Sequence, residues 1–294
     1  MAAALLIGTL AAVTAVVWTG HVLTRPVRTD TGMPPPALAA SRLAFPSASG
    51  ALISAWFIQG EPRAGAVLLL HGVRSDKRSM LGRARFLKAL GFSVLLIDLQ
   101  AHGGSTGERI TFGLREARDV EAALRRLAQL APGERIGVVG TSLGAAAAVF
   151  AESKSRYSAM VLESLYPTIE EAVEDRLRLH LGSLGPLLAP LLLMQFEPRL
   201  GVRPDQLRPI ERIGEITVPI LLVHGGEDRH TTLSEVRRLY DAAREPKTLY
   251  VVEGAAHVDL HAHATAQYEA RVGAFLLSHL RTLSAAPTLL SMRD

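Results

Sequence analysis

The chain has 294 residues, of which 48% are hydrophobic and 20% are charged, and its formal net charge is +4 at neutral pH. Disordered chains combine low hydrophobicity with high net charge, so this composition excludes disorder for most of the sequence. The basic residues are scattered, without long runs of like charge, and no nucleic-acid partner is expected. The absence of cysteine excludes disulfides, thiolate metal ligands and a cysteine nucleophile.

The first segment is an apolar run with no charged side chain before Arg25. About 20 apolar residues span the hydrocarbon core of a bilayer, and Ala2–Leu23 has that length. We therefore predict a single-pass membrane anchor over residues 1–24, with a cleaved signal peptide and a buried helix as the alternatives. Arg25 and Arg28 follow the run, so the positive-inside rule predicts a cytoplasmic catalytic domain.

Residues 25–40 are rich in proline, which excludes a helix or a central strand and favours a linker. The prolines are Pro26, Pro34, Pro35 and Pro36. Residues 41–285 are predicted to form a single folded domain, and residues 286–294 a C-terminal tail.

From Ser41 onward, short apolar runs alternate with helical patterns, which is typical of a mainly parallel sheet covered by helices on both faces. Arg42–Phe45 and Ala51–Ile58 flank a Ser-Gly turn and are predicted to form an opening hairpin. The later strands are predicted at Ala66–Leu70, Ser93–Leu99, Arg135–Val139, Ser158–Leu162, Pro219–Val223 and Thr248–Val252. The helices are predicted at Ser79–Leu90, Leu114–Leu130, Ala145–Ala151, Ser234–Ala243 and Ala264–Leu280.

The connection over residues 166–216 is much longer than an ordinary helix crossover. A connection of that length usually carries extra structure, so we predict a helical lid inserted over the active-site end of the sheet. Its apolar run Leu187–Met194 suits three roles: lining an acyl pocket, packing as plain core, or touching a membrane.

The spacing Gly140-x-Ser142-x-Gly144 fits a sharp strand-to-helix turn that lifts a serine hydroxyl above the sheet. A pattern with three fixed positions is common, but an apolar strand precedes this one and an alanine-rich helix follows it. In that setting we predict that Ser142 is a nucleophile.

A serine hydroxyl needs an adjacent base, and histidine takes and returns a proton near neutral pH. His257 follows an apolar strand and is the predicted base. Asp228 follows another strand and is predicted to orient that histidine, with Glu227 as the near alternative. Ser, Asp and His occur here in the chain order found in hydrolases whose serine nucleophile lies on a strand-to-helix turn. Three further histidines that end strands or precede glycines are interpreted as loop organisers: His71, His102 and His224.

A tetrahedral intermediate needs hydrogen-bond donors for its oxyanion. The main-chain N–H of Leu143, next to the serine, is one candidate, and that of Val73, in the loop after the third strand, is the other. No cofactor and no metal are expected. Asp259, His261 and His263 lie close in sequence, but without cysteine or a second spaced group they are interpreted as the start of a helix.

Over Arg42 to Leu280 the chain resembles the α/β-hydrolase superfamily, in particular its membrane-anchored, Bem46-type or serine-aminopeptidase-like branch. The motifs that carry the resemblance are Leu70-His71-Gly72, Asp98 to Ser105, Gly140 to Gly144, His224 to Asp228 and Gly254 to His257. Gln100-Ala101 departs from the Arg-Gly pair that is common in that family. The resemblance implies a hydrolase that needs no cofactor.

The leading functional hypothesis is a carboxylic-ester hydrolase that works through an acyl-enzyme. Its partners would be a small-molecule acyl substrate, lipid-derived acyl groups included, and a membrane contacted by the N-terminal helix. One alternative is a peptidase or amidase with the same triad, which would need an acidic site for a free amine; Glu163, Glu170 and Glu171 are the candidates. The other is a non-catalytic binding protein that keeps the fold.

Overall fold

The main sheet has eight strands, which are covered by helices on both faces. The computed structural model describes residues 1–152 and 157–282; the predicted tail 286–294 lies outside them. The strands are β1 (Val27–Arg28), β2 (Ser41–Pro46), β3 (Leu52–Ile58), β4 (Ala66–Leu70), β5 (Ser93–Ile97), β6 (His102–Gly103), β7 (Ile136–Thr141), β8 (Ala159–Glu163), β9 (Ile220–Gly225) and β10 (Lys247–Val252). The helices are α1 (Ala2–Thr24), α2 (Leu81–Ala89), α3 (Glu116–Leu130), α4 (Leu143–Phe150), α5 (Ile169–Leu181), α6 (Gly185–Leu193), α7 (Phe196–Leu200), α8 (Pro209–Ile213), α9 (Leu233–Ala242), α10 (Leu260–His263) and α11 (Thr265–Leu280).

The order of strands in the main sheet is β10-β9-β8-β7-β4-β5-β3-β2. Only β3 runs antiparallel to its neighbours, β2 and β5, and all other pairs are parallel. The predicted opening hairpin and mainly parallel sheet are therefore confirmed. Because the central strands are buried on both faces, their sequences are continuous apolar runs. The carboxyl ends of β4, β7, β8, β9 and β10 meet at one edge, which is where parallel sheets of this kind place their ligands.

The long connection between β8 and β9 carries four helices, α5 to α8. Apolar residues of α5 and α7 join the core cluster beneath the carboxyl edge. The chain therefore builds additional helical structure at the same end of the sheet as the strand-end loops.

The predicted membrane anchor is wrong. Within residues 1–152 and 157–282, no helix is long and apolar enough to cross a bilayer. The C-terminal part of α1 instead docks on α6 and α7, where Gln195 donates to the carbonyl of Val16 at 3.1 Å and Arg199 to that of Val17 at 3.0 Å. A Cβ on Gly20 would lie 2.4 Å from the side-chain oxygen of Gln195, so the two elements touch closely. The cytoplasmic placement predicted from the flanking arginines depended on the anchor and falls with it.

Residues 25–40 follow the surface of the domain. β1 pairs in parallel with β6, and Leu38 is buried with an exposed fraction of 2%. The hydroxyl of Thr31 accepts a hydrogen bond from the ammonium of Lys77 at 2.7 Å. This proline-rich stretch is therefore fixed to the domain by main-chain pairing, an apolar contact and a buried polar contact.

Lys77 and Asp98 form an ion pair in which both side chains are fully buried. Lys77 also donates to the hydroxyl of Ser54 at 3.0 Å. Asp98 accepts from the main-chain N–H groups of Lys77 and Gly104 at 2.8 and 2.9 Å. Since a buried charge is tolerated only when it is paired and hydrogen-bonded, these contacts are what allow the pair to exist.

Lys77→Met should lower the free energy of unfolding by about 3–5 kcal/mol, because it leaves the Asp98 carboxylate buried without its counter-charge. Urea unfolding followed by circular dichroism measures this loss. The adjacent Arg78→Ala breaks the ion pair with Asp76, in which Arg78 is 47% exposed, and should cost less than about 1 kcal/mol. Equal losses of unfolding free energy in the two variants would contradict the prediction that the buried Lys77–Asp98 pair stabilises the fold more than the exposed pair does.

Candidate active site

Ser142 lies at the turn from β7 into α4, at the carboxyl edge of the sheet. Its backbone has a φ of 49° and a ψ of −108°, which a residue with a side chain adopts only under strain. The main-chain N–H of Ser142 donates to the carbonyl of Glu163 on β8 at 2.8 Å. The neighbouring strand therefore holds the strained turn, and the serine is raised above the edge of the sheet.

Gly140 and Gly144 are required because backbone atoms occupy the space in which a side chain would begin. A Cβ on Gly140 would lie 2.7 Å from the main-chain nitrogen of Ala145. A Cβ on Gly144 would lie 2.6 Å from the carbonyl oxygen of Leu70, at the end of β4. The first turn of α4 thus packs directly against β4, and only glycine permits that approach.

Asp228 and His257 meet in the loops after β9 and β10. The Nδ1 atom of His257 lies 2.7 Å from Oδ2 of Asp228, whose side chain is fully buried. The other carboxylate oxygen accepts from the main-chain N–H groups of His230 and Thr231 at 2.8 and 3.1 Å. Burial raises the pKa of Asp228, but its hydrogen bond to His257, the charge of that ring and the Thr231 N–H together hold the pKa below its usual 3.8. The ionised carboxylate therefore fixes the imidazole with Nε2 directed away from Asp228.

The His257 ring is also held by stacking. The ring of His230 lies against it, with centroids 4.9 Å apart and an angle of 23° between the planes. Glu227, the alternative partner considered from sequence, is exposed at the surface. The structure thus brings Asp228, and not Glu227, to His257.

Ser142 and His257 line the same polar cavity, whose volume is about 320 Å³. A second cavity of about 130 Å³ adjoins it at Ser142. Most of its walls are apolar and come from α1, α4, α5, α6 and α7; they include Leu23, Phe112, Tyr166, Ile169, Ala172, Val173, Leu192 and Phe196. Ser142, Val73 and Arg176 line both cavities. The serine therefore stands where an apolar and a polar compartment meet.

Two main-chain N–H groups beside Ser142 have no acceptor within the described residues. Val73 lies in the loop after β4, and Leu143 is the first residue of α4, where a helix has no internal partner for its N–H. Both residues line the apolar cavity together with Ser142. Two free donors next to a serine can stabilise negative charge that develops on a carbonyl oxygen.

The loop that carries Val73 is held from both sides by buried histidines. Nδ1 of His71 lies 2.7 Å from the carbonyl of Gly72. Nε2 of His102 accepts from the main-chain N–H of Arg74 at 3.1 Å. The two rings pack edge to face, with centroids 5.0 Å apart. The peptide units on either side of Val73 are therefore fixed, and so is the direction of its own N–H.

Both histidines must be neutral to make these contacts. Nε2 of His71 accepts from the main-chain N–H of Leu99 at 3.1 Å, so its single proton sits on Nδ1. The same reasoning puts the proton of His102 on Nδ1, which lies 2.8 Å from the carbonyl of Gln100. Burial, followed by the charge of His102, lowers the pKa of His71 to about 4, and burial lowers the pKa of His102 as well.

Two contributors to this region were not assigned to it from the sequence: the end of α1, which lines the apolar cavity, and Arg176 on α5. Glu163, which was considered only as a site for a free amine, ends β8 and instead supports the turn at the serine. Glu163 accepts from Thr141 at 2.9 Å and from Arg83 at 2.6 Å, and it also contacts the hydroxyl of Tyr268. A charged residue directly after a buried apolar strand was the available signal for Glu163. No local pattern marked α1 or Arg176.

Comparison with known proteins gives three consistent findings. The model of the alpha/beta hydrolase family matches residues 67–271. The uncharacterized protein YqkD of Bacillus subtilis is 26% identical over 236 residues, which cover 79% of this chain and 77% of that protein. The human alpha/beta hydrolase domain-containing protein 17B is 25% identical over 245 residues, which cover 81% and 75% of the two chains.

Among solved structures, the esterase Pf2001 of Pyrococcus furiosus is similar, with a TM-score of 0.72 and 24% sequence identity. The match covers 87% of this chain and 99% of that one. At this level of identity the likeness concerns the fold, and it extends over nearly the whole esterase.

Gly144→Ala should lower the free energy of unfolding by about 1–3 kcal/mol, because the added methyl group collides with the carbonyl of Leu70 and the turn has no room to relax. Thermal or urea unfolding measures the change. Gly72→Ala is the matched control in the same region, since its Cβ would meet nothing closer than 3.7 Å. If Gly72→Ala were the more destabilising of the two, the close approach at Gly144 would not limit the fold.

Acidification should lower the free energy of unfolding, because the buried histidines are neutral in the folded protein. In the unfolded chain His71 takes up a proton near its usual pKa of 6.5, whereas in the folded protein it resists protonation down to about 4. The stability that it contributes above pH 6.5 is therefore lost as the pH falls from about 6.5 to about 4, at up to about 1.4 kcal/mol per pH unit. Urea unfolding at several pH values should give a flatter dependence for His71→Gln than for the wild type. Replacement of the exposed His263 by Gln should keep the wild-type slope, and identical slopes for all three proteins would refute the prediction.

Proposed function

The chain belongs to the alpha/beta hydrolase family, and on that premise we propose that it is a serine hydrolase that cleaves carboxylic esters through an acyl-enzyme. The observation that carries the proposal is the Asp228–His257 hydrogen bond of 2.7 Å, which holds the imidazole at a cavity that the strained Ser142 also lines. A serine, a histidine and a buried carboxylate in this relation are the parts that nucleophilic acyl transfer needs.

In the proposed reaction, the hydroxyl oxygen of Ser142 bonds to the ester carbonyl carbon while Nε2 of His257 takes the hydroxyl proton. Asp228 accepts the Nδ1–H bond throughout and offsets the positive charge of the imidazolium. His257 then gives the proton to the departing alcohol oxygen as the ester C–O bond breaks. Water repeats the sequence on the acyl-enzyme, and the carboxylic acid is released.

The N–H groups of Val73 and Leu143 are proposed to hold the oxyanion of the tetrahedral intermediate. Both are free of acceptors within the described residues, and both flank the serine. Loss of one such donor costs on the order of 3 kcal/mol of transition-state stabilisation. In this proposal the contacts of His71 and His102 have a catalytic consequence, because they fix the loop that orients the Val73 N–H.

The acyl chain of the substrate is proposed to enter the apolar cavity. Aliphatic and aromatic side chains line it, and burial of an apolar chain there is favourable by about 25 cal/mol per Å² of apolar surface. Helices α5 to α7, which supply much of the wall, are proposed to act as a lid over this compartment.

A peptidase function is less well supported, because the three glutamates considered for binding a free amine are already engaged. Glu163 is bonded to Arg83, Glu170 to Arg208 and Glu171 to Arg238. An aminopeptidase of this type would need an accessible carboxylate near the scissile bond. Ester cleavage needs none.

A fluorophosphonate probe should label the wild type, because the reagent reacts with an activated serine. Ser142→Ala should abolish labelling and lower p-nitrophenyl ester hydrolysis by on the order of 10⁴-fold or more, since the nucleophile is removed. Gel fluorescence and a spectrophotometric assay measure the two effects.

Ser164→Ala provides the matched control. Ser164 directly follows the neighbouring strand β8 and is 3% exposed. Its hydroxyl has no hydrogen-bond partner within the described residues, and its removal should leave labelling intact. An unlabelled wild type would favour a non-catalytic binding protein, and equal labelling of wild type and Ser142→Ala would remove Ser142 from the proposed role.

A further inference from the structure

Arg176 is the cation at the junction of the two cavities. It lies on α5 and contributes to the walls of both the apolar and the polar compartment, as Ser142 does. Within the part of the chain that the structure describes, its guanidinium has no hydrogen bond and no ion pair, and none of its nitrogen atoms is a fully buried atom without a partner. An arginine carries five N–H donors and stays charged in proteins. Five donors beside the serine are therefore available to a ligand.

Neither nearby carboxylate is hydrogen-bonded to Arg176. Asp228 accepts from His257 and from two main-chain N–H groups. Asp175, the preceding residue, is bonded through Oδ1 to the guanidinium of Arg178 at 2.7 Å, and its Oδ2 is buried without a hydrogen-bond partner among the described residues. Burial lowers the pKa of Arg176 below its usual value, against the opposing effect of Asp228 and two weaker neighbours. The guanidinium is thus partly desolvated without gaining a partner, a condition that an anionic ligand would relieve.

The remaining charges around the cavities favour the same sign of ligand. Among the described residues that line the apolar cavity there are three arginines and no carboxylate. Arg74 and Arg199 each donate to one carbonyl of α1, at 3.0 Å in each case. In the polar cavity the single carboxylate among the described lining residues is Asp259, which is bonded to Arg83 at 2.8 Å. No free negative charge on these walls would repel an anion.

We propose that Arg176 binds an anionic group, a carboxylate or a phosphate, on the alcohol portion of the ester. The inference rests on the proposed function, because it places the acyl chain in the apolar cavity and the ester carbonyl at Ser142. The alcohol portion then occupies the polar cavity. Arg176 lies where this cavity meets the apolar cavity, as Ser142 does. As the ester C–O bond breaks, the alcohol oxygen takes its proton from His257, and the neutral hydroxyl leaves together with its carboxylate or phosphate group. Arg176 is thus a residue that determines specificity, and it takes no part in breaking the bond.

Matched aryl esters test the inference. The hexanoyl esters of 3-hydroxybenzoic acid and 3-hydroxybenzamide have the same shape and differ in the charge of one group, and the hexanoyl ester of 3-hydroxyphenyl phosphate supplies a phosphate arm. Wild type should cleave at least one anionic ester with a kcat/KM about tenfold or more above that of the amide ester, chiefly through a lower KM, because charge-assisted hydrogen bonds are made to one and not to the other. The stronger of the two anionic arms identifies the group as carboxylate or phosphate.

Arg176→Gln should bring the ratio of anionic to neutral kcat/KM close to 1, and Arg176→Lys should retain part of it because the charge remains. Arg203→Gln is the control: Arg203 lies in the same connection between β8 and β9, is 56% exposed and pairs only with the exposed Asp205 among the described residues, so the same change in net charge should leave the ratio at its wild-type value. The inference is overturned if wild type prefers neither anionic ester, or if Arg203→Gln lowers the ratio as much as Arg176→Gln does. If wild type cleaves the neutral and the anionic esters equally well, the anion site is refuted but the proposed function is not. If wild type cleaves none of the esters, the proposed function is refuted as well.

Discussion

The close approach of α4 to β4 is the constraint on which the rest of the site depends. The two elements touch through Gly144, whose missing side chain lets the carbonyl of Leu70 come near. This contact forces the sharp turn at Ser142, and it also sets the end of β4 beside the first residue of α4. One packing contact thus brings the serine, the Leu143 N–H and the loop that carries Val73 to the same edge of the sheet.

Polar groups then give this edge its rigidity. The loop after β4 is held by His71 and His102, and the loop after β9 by the N–H groups that Asp228 accepts. Each contact is at least partly buried, where a hydrogen bond is costly to break. The loops are irregular in backbone, yet each is fixed by a specific set of donors and acceptors. A site whose partners are positioned before the substrate arrives needs little rearrangement during the reaction.

Much of this arrangement was predictable because it depends on local patterns. Apolar runs of strand length located the sheet, and the glycines around Ser142 located the turn. Asp228 and His257 were found because strand ends in parallel sheets converge at one edge. The sequence thus predicted that the two residues lie at the same edge of the sheet, but it did not predict the 2.7 Å contact between them.

The features that escaped prediction depend on contacts between distant segments. The apolar composition of α1 led to the prediction of an anchor, whereas the helix docks on the domain through Gln195 and Arg199, which lie more than 150 residues further along the chain. Arg176 belongs to a helix with many charged residues, and nothing in its neighbours indicates which one faces inward. Hydropathy and spacing describe a segment by itself, and these roles arise only when two segments meet.

The docking of α1 also has a consequence for the reach of the pocket. Gly20, Leu23 and Thr24 close one side of the apolar compartment, so a chain trimmed to begin after Thr24 would keep all three residues of the proposed triad but open that side to water. Under the proposed function, such a shortened protein would still react with small esters but would bind long acyl chains less well. The range of acyl chains proposed to bind in the apolar compartment therefore depends partly on residues of α1, which are distant in sequence from Ser142.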